Sequence, residues 1–485
     1  MNAQVRDGGM AYVTQASINS AELTGPAGPI EELGSVGPVE RLMSTVIRTL
    51  AWSRLSRPKV AIAVSAAGLL LSMLVGATAP NPETLPIRLP LSSLLPSLSH
   101  TVIVATAMLY TGVILACLGL AGMLWAHSQG WRPNPRYLLM ASTAIVGVMV
   151  SLTPVGSSDT GSYAAYGRIA AQGGNPYTTN PLAWGASAYT HVVGSIWQKQ
   201  PSVYGPIATL IQRFAASVGG ANVATTIWVL MILNGAAFIG VGWLLLKTSD
   251  DPVRATLFWT ANPVLIQQLV GGGHLDTFVA AAAICSIQVA RRVSSMRGDV
   301  LIGVLIGLAC GVKIYAVLIG AGLAWPLLRR VEWKRVIVVA VVSLGTLALE
   351  YSFYGLGALK PLFGGLKLVT LPSPWWSFQM IGLAFGVSKS TTATIISCLW
   401  PIALLVVAWL IQRRISSDQP QEVVWPFALT FAWVLVAPWV FAWYTAVAWA
   451  ALTQVPRNRM TRWLAIVTVF LAICLSSGGQ AALGQ

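Results

Sequence analysis

Charged side chains are scarce in this sequence: they make up 9% of its 485 residues, whereas 55% of the residues are hydrophobic. A water-soluble domain usually carries about 25% charged residues. The scarcity therefore argues against a soluble protein and favours one that is surrounded by lipid. The net charge of +15 does not indicate nucleic-acid binding in such a chain. Its distribution indicates topology instead, since Lys and Arg gather in cytoplasmic loops.

Several sequence patterns that would indicate other chemistry are also missing. There is no Walker loop, no dinucleotide-binding glycine fingerprint, no nucleophile elbow and no soluble nucleotide-using domain. The five cysteines lie in apolar segments without metal-ligand spacing, so they predict neither a disulfide framework nor a metal site. We therefore expect no cofactor. A divalent metal stays open, although one His and one Asp form a weak ligand set.

Long apolar runs are present along most of the chain, and runs of about 18 residues or more predict transmembrane helices. Backbone groups in lipid must bond within their own segment. We therefore predict an all-α polytopic membrane protein with about thirteen transmembrane helices. Residues 1–40 are polar, carry no signal-peptide pattern and predict a disordered cytoplasmic tail, which leaves residues 41–485 as a single transmembrane domain.

Basic residues between the apolar runs predict the topology. Arg and Lys precede the first span, near 59–79, and place the N-terminus in the cytoplasm. Two long apolar stretches, 253–292 and 299–328, are each predicted to go out and back, with Lys313 at the outer apex of the second. The remaining predicted spans lie near 101–126, 137–155, 222–247, 336–353, 392–412, 423–440, 441–455 and 463–481.

The longest polar interruption, residues 156–205, is predicted to be an outer loop with amphipathic helices on the membrane surface. Its first predicted helix, 159–172, begins near Asp159. This carboxylate is either a helix N-cap or a general base that deprotonates a sugar hydroxyl at the boundary of lipid and water. Tyr163 and Tyr166 share one face of the helix, where they either pack at the interface or form a platform for sugar.

Three further ionisable residues interrupt apolar sequence on the same predicted face. His274 and Asp276 follow a run of glycines and form either a solvated turn or contacts to a phosphate and a sugar. Lys313 is either a lysine that snorkels to the interface or a partner for the phosphate of an anionic lipid donor. Arg168 is a second candidate for that phosphate, and Glu350 is interpreted as a structural partner of one of the cations.

Aromatic residues near the predicted outer face offer two alternatives as well. Trp375 and Trp376 belong either to the aromatic belt of a membrane protein or to a surface that stacks on sugar rings. A group transfer outside the cell, without a nucleotide-binding domain, would need a donor that is carried by lipid.

Several blocks, taken in order, resemble the GT-C glycosyltransferases that use polyprenyl-phosphate mannose. The blocks are Asp159-x3-Tyr163-x2-Tyr166-Gly167, Gly174-Asn175-Pro176-Tyr177, Tyr204-Gly205-Pro206, Gly273-His274-Leu275-Asp276, Lys313 within Val-Lys-Ile, and Trp443-Tyr444. They are most similar to the actinobacterial α-1,6-mannosyltransferases that build the mannan backbone of lipomannan and lipoarabinomannan. The similarity extends from about residue 140 to about residue 450.

This resemblance implies a GT-C fold and an inverting transfer on the outer face of the plasma membrane. Mannose would pass from a polyprenyl-phosphate mannose donor to a lipid-anchored mannan acceptor and form an α-1,6 linkage. By position, Asp159 would be the base, and His274, Asp276 and Lys313 would lie near the donor. The sugar contacts would come from Tyr163, Tyr166, Asn175, Tyr177, Tyr204, Trp375 and Trp376.

Two alternatives remain beside this interpretation. A related enzyme could transfer another lipid-linked sugar, such as arabinofuranose, or extend a phosphatidylinositol mannoside. A non-enzymatic transporter of lipid or sugar would also have many spans and buried charges, but it should show a repeat between halves with paired broken helices. No such repeat is visible in the sequence.

Overall fold

Helices provide the regular secondary structure in the part of the chain that the structure describes. The computed structural model describes residues 57–98, 102–361, 369–371, 373–415 and 418–475. Within these ranges the only β-type pairing is an isolated antiparallel bridge between Thr84 and Val155. The all-α prediction is therefore confirmed for the described residues, whereas the tail predicted over 1–40 lies outside them.

Fifteen helices in the described ranges have eight residues or more and are numbered in chain order. They are α1 (Pro58–Ala77), α2 (Val102–Ser128), α3 (Pro135–Met149), α4 (Asp159–Ala171), α5 (Pro206–Gly219), α6 (Val223–Thr248), α7 (Asp276–Arg292), α8 (Met296–Val312), α9 (Val317–Arg329), α10 (Trp333–Ser352), α11 (Pro374–Ala384), α12 (Lys389–Arg413), α13 (Gln421–Val436), α14 (Thr445–Leu452) and α15 (Met460–Leu475). Shorter helical segments lie at Leu91–Leu94, Pro181–Trp184, Ala188–His191, Ser195–Gln198, Pro252–Phe258, Pro263–Leu265, Ile266–Gly271, Ile314–Ala316, Leu356–Leu359 and Ala442–Tyr444.

Five of the described helices, α1, α2, α6, α10 and α12, are long and apolar enough to cross a membrane. Others, such as α3, α13 and α15, are apolar but have 15 or 16 residues, about 24 Å at most, which is shorter than a hydrocarbon core of about 30 Å. A protein with several membrane helices is therefore supported. The number thirteen stays a prediction.

Residues at the helix starts explain several of the boundaries. Asn134, Asn222, Ser295 and Ser388 precede α3, α6, α8 and α12, and the side chain of each accepts a hydrogen bond from a backbone N–H of the first turn. Pro135 is the first residue of α3, where a missing N–H leaves no helical hydrogen bond unmade. These caps end the loops that join apolar helices.

Two breaks in apolar sequence lie where the sequence analysis placed them. The α7 helix begins at Asp276, directly after the glycine-rich reversal, and Lys313 follows α8 in an extended conformation with φ −144° and ψ 128°. The predicted helical hairpin over 253–292 would have one continuous helix before its turn. The structure instead has three short helical segments between Pro252 and Gly271. The cause is local, because Asn262 caps a new short turn and Pro263 cannot continue the preceding helix.

The two ends of α7 differ in charge. At its C-terminal end, Arg291 donates to the side chain of Gln454 at 2.8 Å, and the nearby Arg254 donates to the carbonyl of Val455 at 2.6 Å. Asp276 is the first residue at the other end. The 17 residues of α7 separate these ends by about 24 Å at 1.5 Å per residue. The arginine network and the surroundings of Asp276 therefore lie at opposite ends of this helix.

Candidate active site

Asp159 is the first residue of α4, and the N-cap residue Ser158 makes no capping hydrogen bond with its side chain. The Oδ2 atom of Asp159 accepts a hydrogen bond from the Tyr163 hydroxyl at 3.2 Å. The same oxygen lies 3.4 Å from Nδ1 of His274. The carboxylate thus contacts side chains of its own helix and of the glycine-rich reversal.

Asp159 is also the accessible member of this group. Its side chain is 24% exposed, whereas the His274 side chain is 1% exposed and Tyr163 is fully buried. A molecule that enters from the solvent therefore meets the Asp159 carboxylate before it can reach the histidine. Buried neighbours hold the carboxylate in place, since each has little room to move.

The turn that presents His274 packs directly on the start of α4. Gly273 has φ +69°, a left-handed conformation that favours glycine. A Cβ atom at this position would also lie 2.3 Å from Cγ2 of Thr160. The His274 N–H then donates to the carbonyl of Leu269 at 2.9 Å. Glycine at position 273 is therefore needed for the close approach of His274 to Asp159.

A stack of rings fixes the imidazole of His274. Trp443 lies parallel to it, with ring centroids 3.7 Å apart and planes at 11°. Phe441 stacks on the indole at 4.5 Å and 5°. One face of the Trp443 indole is therefore covered by His274 and the other by Phe441. Its contribution is to orient the histidine.

Lys313 and Asp276 form a buried ion pair beside this group. The Lys313 Nζ atom lies 2.6 Å from Oδ2 of Asp276, and the two side chains are 9% and 0% exposed. The Tyr315 hydroxyl donates to the other carboxylate oxygen of Asp276 at 2.7 Å. Both oxygens of Asp276 are therefore engaged. The carboxylate positions Lys313 and Tyr315, and a contact from Asp276 to sugar stays a prediction.

Aromatic rings surround the ammonium group of Lys313. It lies 4.9 Å from the ring centroid of Tyr444 and 5.8 Å from that of Tyr204. Tyr204 in turn meets Tyr163 edge-on, with centroids 4.9 Å apart. Gly205 follows Tyr204 and donates its N–H to the carbonyl of Val312 at 3.2 Å. The segments that carry Asp159 and Lys313 are thus joined through two tyrosines.

Opposing effects set the pKa of Asp159. Burial raises the pKa of this carboxyl, but the neighbouring His274 ring, the Lys313 ammonium and the Tyr163 hydroxyl together lower it further than burial raises it. The net pKa therefore lies below the usual value for aspartate. Asp159 is ionised at neutral pH, which is the state that a general base requires.

Tyr166, Tyr177 and Asn175 hold residues 156–205 in place through structural hydrogen bonds. The Tyr166 hydroxyl donates to the carbonyl of Gln200 at 3.0 Å. The Asn175 side chain donates to the carbonyl of Tyr354 at 3.0 Å, and the Tyr177 hydroxyl is 2.8 Å from that of Thr209. Tyr166 and Tyr177 are buried. Their contacts to sugar stay predictions, and the observed contacts are structural.

The two neighbouring tryptophans of α11 are half-buried. The Trp375 indole donates to the carbonyl of Val436, the last residue of α13, at 2.6 Å. One turn earlier on α13, Trp433 stacks on Tyr315 at 4.3 Å and 10°. Trp375 therefore lies near the aromatic surroundings of the ion pair, while a sugar contact by Trp375 or Trp376 stays a prediction.

Arg168 is separated from Asp159, His274, Asp276 and Lys313, which are called the grouped residues below. Its guanidinium lies over the ring of Tyr189 at 5.6 Å from the centroid and lines a cavity between α4 and residues 181–190. It follows Asp159 by nine residues, which places it on the opposite side of α4 at 100° per residue. The structure therefore does not bring Arg168 to Lys313.

Glu350 has no cation partner within the described residues, so its interpretation as a partner of a buried cation is wrong for this part of the chain. Its side chain is buried in α10, and neither carboxylate oxygen has a hydrogen-bond partner there. A Cβ atom on Gly311 would lie 1.9 Å from one of these oxygens, so the carboxylate packs on the backbone of α8.

Tyr315 is the functional candidate that the sequence analysis missed. It is two residues from Lys313 and shares Asp276 with it. The sequence signal that could have indicated Tyr315 was a tyrosine close to a lone lysine in an apolar stretch.

No group of three or more His, Cys, Asp or Glu side chains is arranged to hold a metal within the described ranges.

Comparison with known proteins places the grouped residues inside a recognised sequence family. The profile described as alpha-(1->6)-mannopyranosyltransferase, N-terminal domain, matches residues 60–329, which include Asp159, His274, Asp276 and Lys313. Trp443 lies beyond this match.

Individual relatives agree with the profile. Alpha-(1->6)-mannopyranosyltransferase A of Mycobacterium tuberculosis is 26% identical over 388 residues, which cover 74% of this chain and 73% of the relative. A probable alpha-(1->6)-mannopyranosyltransferase of Mycolicibacterium smegmatis is 26% identical over 65% of this chain and 52% of its own length. Alpha-(1->6)-mannopyranosyltransferase A of Corynebacterium glutamicum is 26% identical over 34% of each chain. No solved structure matches significantly.

Proposed function

We propose, from the premise that the chain belongs to the alpha-(1->6)-mannopyranosyltransferase family, that it is a membrane mannosyltransferase that forms α-1,6 linkages. In this proposal the donor is polyprenyl-phosphate mannose and the acceptor is a lipid-anchored mannan. The transfer inverts the configuration at C1 and takes place on the outer face of the plasma membrane. It uses no metal or other cofactor.

The observation that carries the proposal is the grouping of an accessible carboxylate with a buried cation. Asp159 is partly exposed, and its helix is joined to the Lys313 ammonium through the rings of Tyr163 and Tyr204. A transfer from a lipid phosphate needs a base for the attacking hydroxyl and a positive charge for the leaving phosphate. These two requirements correspond to the two groups.

The proposed step begins with the 6-hydroxyl of the acceptor. Its oxygen attacks C1 of the donor mannose from the face opposite the phosphate, and the bond from C1 to the phosphate oxygen breaks. Asp159 accepts the hydroxyl proton, and the electron pair leaves with the polyprenyl phosphate. The phosphate is already a good leaving group, so the step needs no acid from the protein.

Lys313 is proposed to stabilise the charge on the leaving phosphate. Its ammonium has three N–H donors, and the contact to Asp276 at 2.6 Å engages one of them. Asp276 and the rings of Tyr204 and Tyr444 limit the directions that the ammonium can take. His274 is proposed to hold Asp159 in its ionised state and in position.

The positions of the basic residues support the proposed membrane face. Arg254 and Arg291 lie at one end of α7, and the ion pair of Asp276 with Lys313 lies at the other. Arginine-rich ends of membrane helices face the cytoplasm in most membrane proteins. The proposed active site then faces outward, and the N-terminus lies in the cytoplasm.

Purified full-length protein tests this proposal with polyprenyl-phosphate mannose and a short α-1,6-mannoside. Mass analysis should show the acceptor extended by one hexose, and linkage analysis should show an α-1,6 bond. Offering polyprenyl-phosphate arabinofuranose in parallel separates the related transferases, and a phosphatidylinositol mannoside acceptor tests the other extension. Movement of the lipid across liposomes without a glycosidic product would favour a transporter and contradict the proposal.

Asp159→Asn tests the base, with Asp250→Asn as the matched control. Asp250 has an 81% exposed side chain and pairs with Arg291 at the other end of α7. Because general-base catalysis contributes about 10²–10⁴-fold, Asp159→Asn should lower kcat by about a thousandfold, with the unfolding midpoint unchanged. Near-normal turnover in Asp159→Asn would reject Asp159 as the base.

A further inference from the structure

A cavity of about 590 Å³ lies beside α4, outside the grouped residues of the candidate active site. Its walls come from α4 and from residues 181–190 of the outer loop. The polar lining includes Arg168, Gln172, Trp184, Ser187 and Tyr189. The proposed reaction uses none of these residues.

Trp184 presents an indole to this cavity in a fixed orientation. Its Nε1 donates to the side-chain oxygen of Gln172 at 2.9 Å. Its ring lies against Gly174, where an added Cβ atom would come within 2.6 Å of the indole. The side chain nevertheless remains 40% exposed. A large aromatic side chain that is held in one orientation and partly exposed offers an apolar ring face with a polar N–H at its edge.

Arg168 supplies hydrogen-bond donors on the other side of the cavity. Its guanidinium lies over the ring of Tyr189. The Tyr189 hydroxyl is itself held by the carbonyl of Gly220 at 2.8 Å and by Thr226 at 2.7 Å. No carboxylate of the described residues lies within ion-pairing distance of Arg168, so its N–H groups are open to a ligand.

The position of the cavity on α4 relates it to Asp159. The helix places Arg168 nine residues after the proposed base, which is about 14 Å along the axis at 1.5 Å per residue. Because Arg168 leaves α4 on the side opposite Asp159, an oligosaccharide that reaches both groups passes around the helix. One helix therefore carries the proposed base at its start and the open guanidinium near its end.

We propose that this cavity is a binding site for hexose units of the acceptor glycan that are remote from the attacking hydroxyl. This inference rests on the proposed function, because it assigns a second contact to the same acceptor. The indole stacks on a sugar face, while Arg168, Gln172 and Ser187 bind hydroxyl groups. A single cation with neutral polar neighbours suits an uncharged sugar better than a phosphate, which usually meets several donors of positive charge.

The test compares acceptors of two lengths on full-length protein in nanodiscs. Trp184→Ala should raise KM for an α-1,6-linked mannohexaose about tenfold, because it removes the aromatic surface on which a sugar stacks. KM for the disaccharide, KM for the donor and kcat should stay unchanged. Trp333→Ala is the matched control, because Trp333 is 55% exposed at the start of α10. Equal KM changes for both acceptors, or no change for the hexaose, would overturn the inference.

Direct binding separates this inference from the proposed reaction. Mannohexaose should quench the tryptophan fluorescence of the Asp159→Asn protein, and Trp184→Phe should retain binding better than Trp184→Ala. Binding without transfer by the unaltered protein would contradict the proposed function and leave the cavity assignment standing. Transfer that is insensitive to Trp184→Ala would contradict the cavity assignment and leave the proposed function standing. Quenching of this fluorescence by inositol phosphate but not by mannohexaose would indicate that the cavity binds an anionic headgroup and would overturn the assignment.

Discussion

The Oδ2 atom of Asp159 lies 3.4 Å from Nδ1 of His274, although α5 and α6 lie between α4 and the glycine-rich reversal in the sequence. The contact joins an accessible carboxylate to a buried imidazole. It lowers the pKa of Asp159 against the effect of burial, which alone would raise it. The histidine is therefore a positioning residue for the proposed base.

His274→Gln should shift the pH profile of the enzyme. With His274 present, the pKa of Asp159 lies below the usual aspartate value, so activity should persist until the pH falls below about 4. Without the imidazole, burial raises that pKa, and the acid limb of kcat/KM should move to higher pH. His191→Gln is the control, because His191 is exposed in the outer loop. An acid limb that stays in place would show that His274 does not act on Asp159.

Polar breaks in apolar sequence are what made the site predictable. Asp159, His274 and Lys313 each interrupt a long hydrophobic run, and one membrane face was predicted for all three. The sharing of Asp276 between Lys313 and Tyr315 was not predictable, because it depends on how the segment between α8 and α9 packs on the start of α7. The positions of the helix breaks could be predicted from glycine, proline and lone charges. The division of residues 252–271 into short helical segments could not, because it depends on the cap that Asn262 forms.

Arg168 illustrates the same limit on a single helix. The sequence analysis named Arg168 as a second candidate for the donor phosphate. Nine residues correspond to two and a half turns, so its side chain leaves α4 on the opposite side. Periodicity contained this information, but which side faced the grouped residues depended on Gly273 and Tyr204, which pack on α4 from distant segments.

Lys313→Met should destabilise the protein as well as stop transfer. The substitution leaves Asp276 buried with Tyr315 as its remaining partner. Breaking a buried ion pair costs about 3–5 kcal/mol. The double variant with Asp276→Leu should recover part of the unfolding midpoint, since no uncompensated charge remains, but it should not recover activity.

Lys199→Met is the control for this pair, because Lys199 is exposed in the outer loop. Thermal unfolding in detergent and the transfer assay measure the two effects separately. A single Lys313→Met variant that is as stable as the control would show that the ion pair does not stabilise the fold. Full activity in the double variant would remove Lys313 from the proposed reaction.

Glu350→Gln should increase stability. Glu350 is 7% exposed, and within the described residues its two carboxylate oxygens have no hydrogen-bond partner. An unsatisfied buried polar group costs about 1–3 kcal/mol, and more when it is charged. The amide keeps the shape and removes the charge, so the unfolding midpoint should rise.

Glu332→Gln is the comparison for this variant. Glu332 pairs with Arg335 at 2.7 Å and is partly exposed, so loss of its charge should leave the midpoint unchanged or lower it slightly. A fall in the midpoint of Glu350→Gln greater than that of Glu332→Gln would mean that the Glu350 charge has a stabilising partner.

Removal of divalent metal should leave transfer unchanged. Lys313 supplies the positive charge that the proposed reaction needs, and no cluster of three potential ligands is present among the described residues. The enzyme should therefore retain its kcat after dialysis against EDTA, with a metal-dependent glycosyltransferase as the positive control for chelation. Loss of activity that Mg²⁺ or Mn²⁺ restores would contradict the metal-free proposal.

Gly273→Ala should reduce kcat by moving His274 away from Asp159. The new Cβ would lie 2.3 Å from Cγ2 of Thr160, in addition to the cost of the left-handed backbone. Gly355→Ala isolates that backbone cost of about 1 kcal/mol, because Gly355 has φ +75° and nothing within 4 Å of an added Cβ. Thr160→Ser removes Cγ2 but leaves the Met231 sulfur 2.8 Å from the added Cβ, so the double variant with Gly273→Ala should regain part of the lost kcat. If Gly355→Ala lowers kcat equally, or if Thr160→Ser gives no rescue, the close approach at Thr160 does not position the histidine.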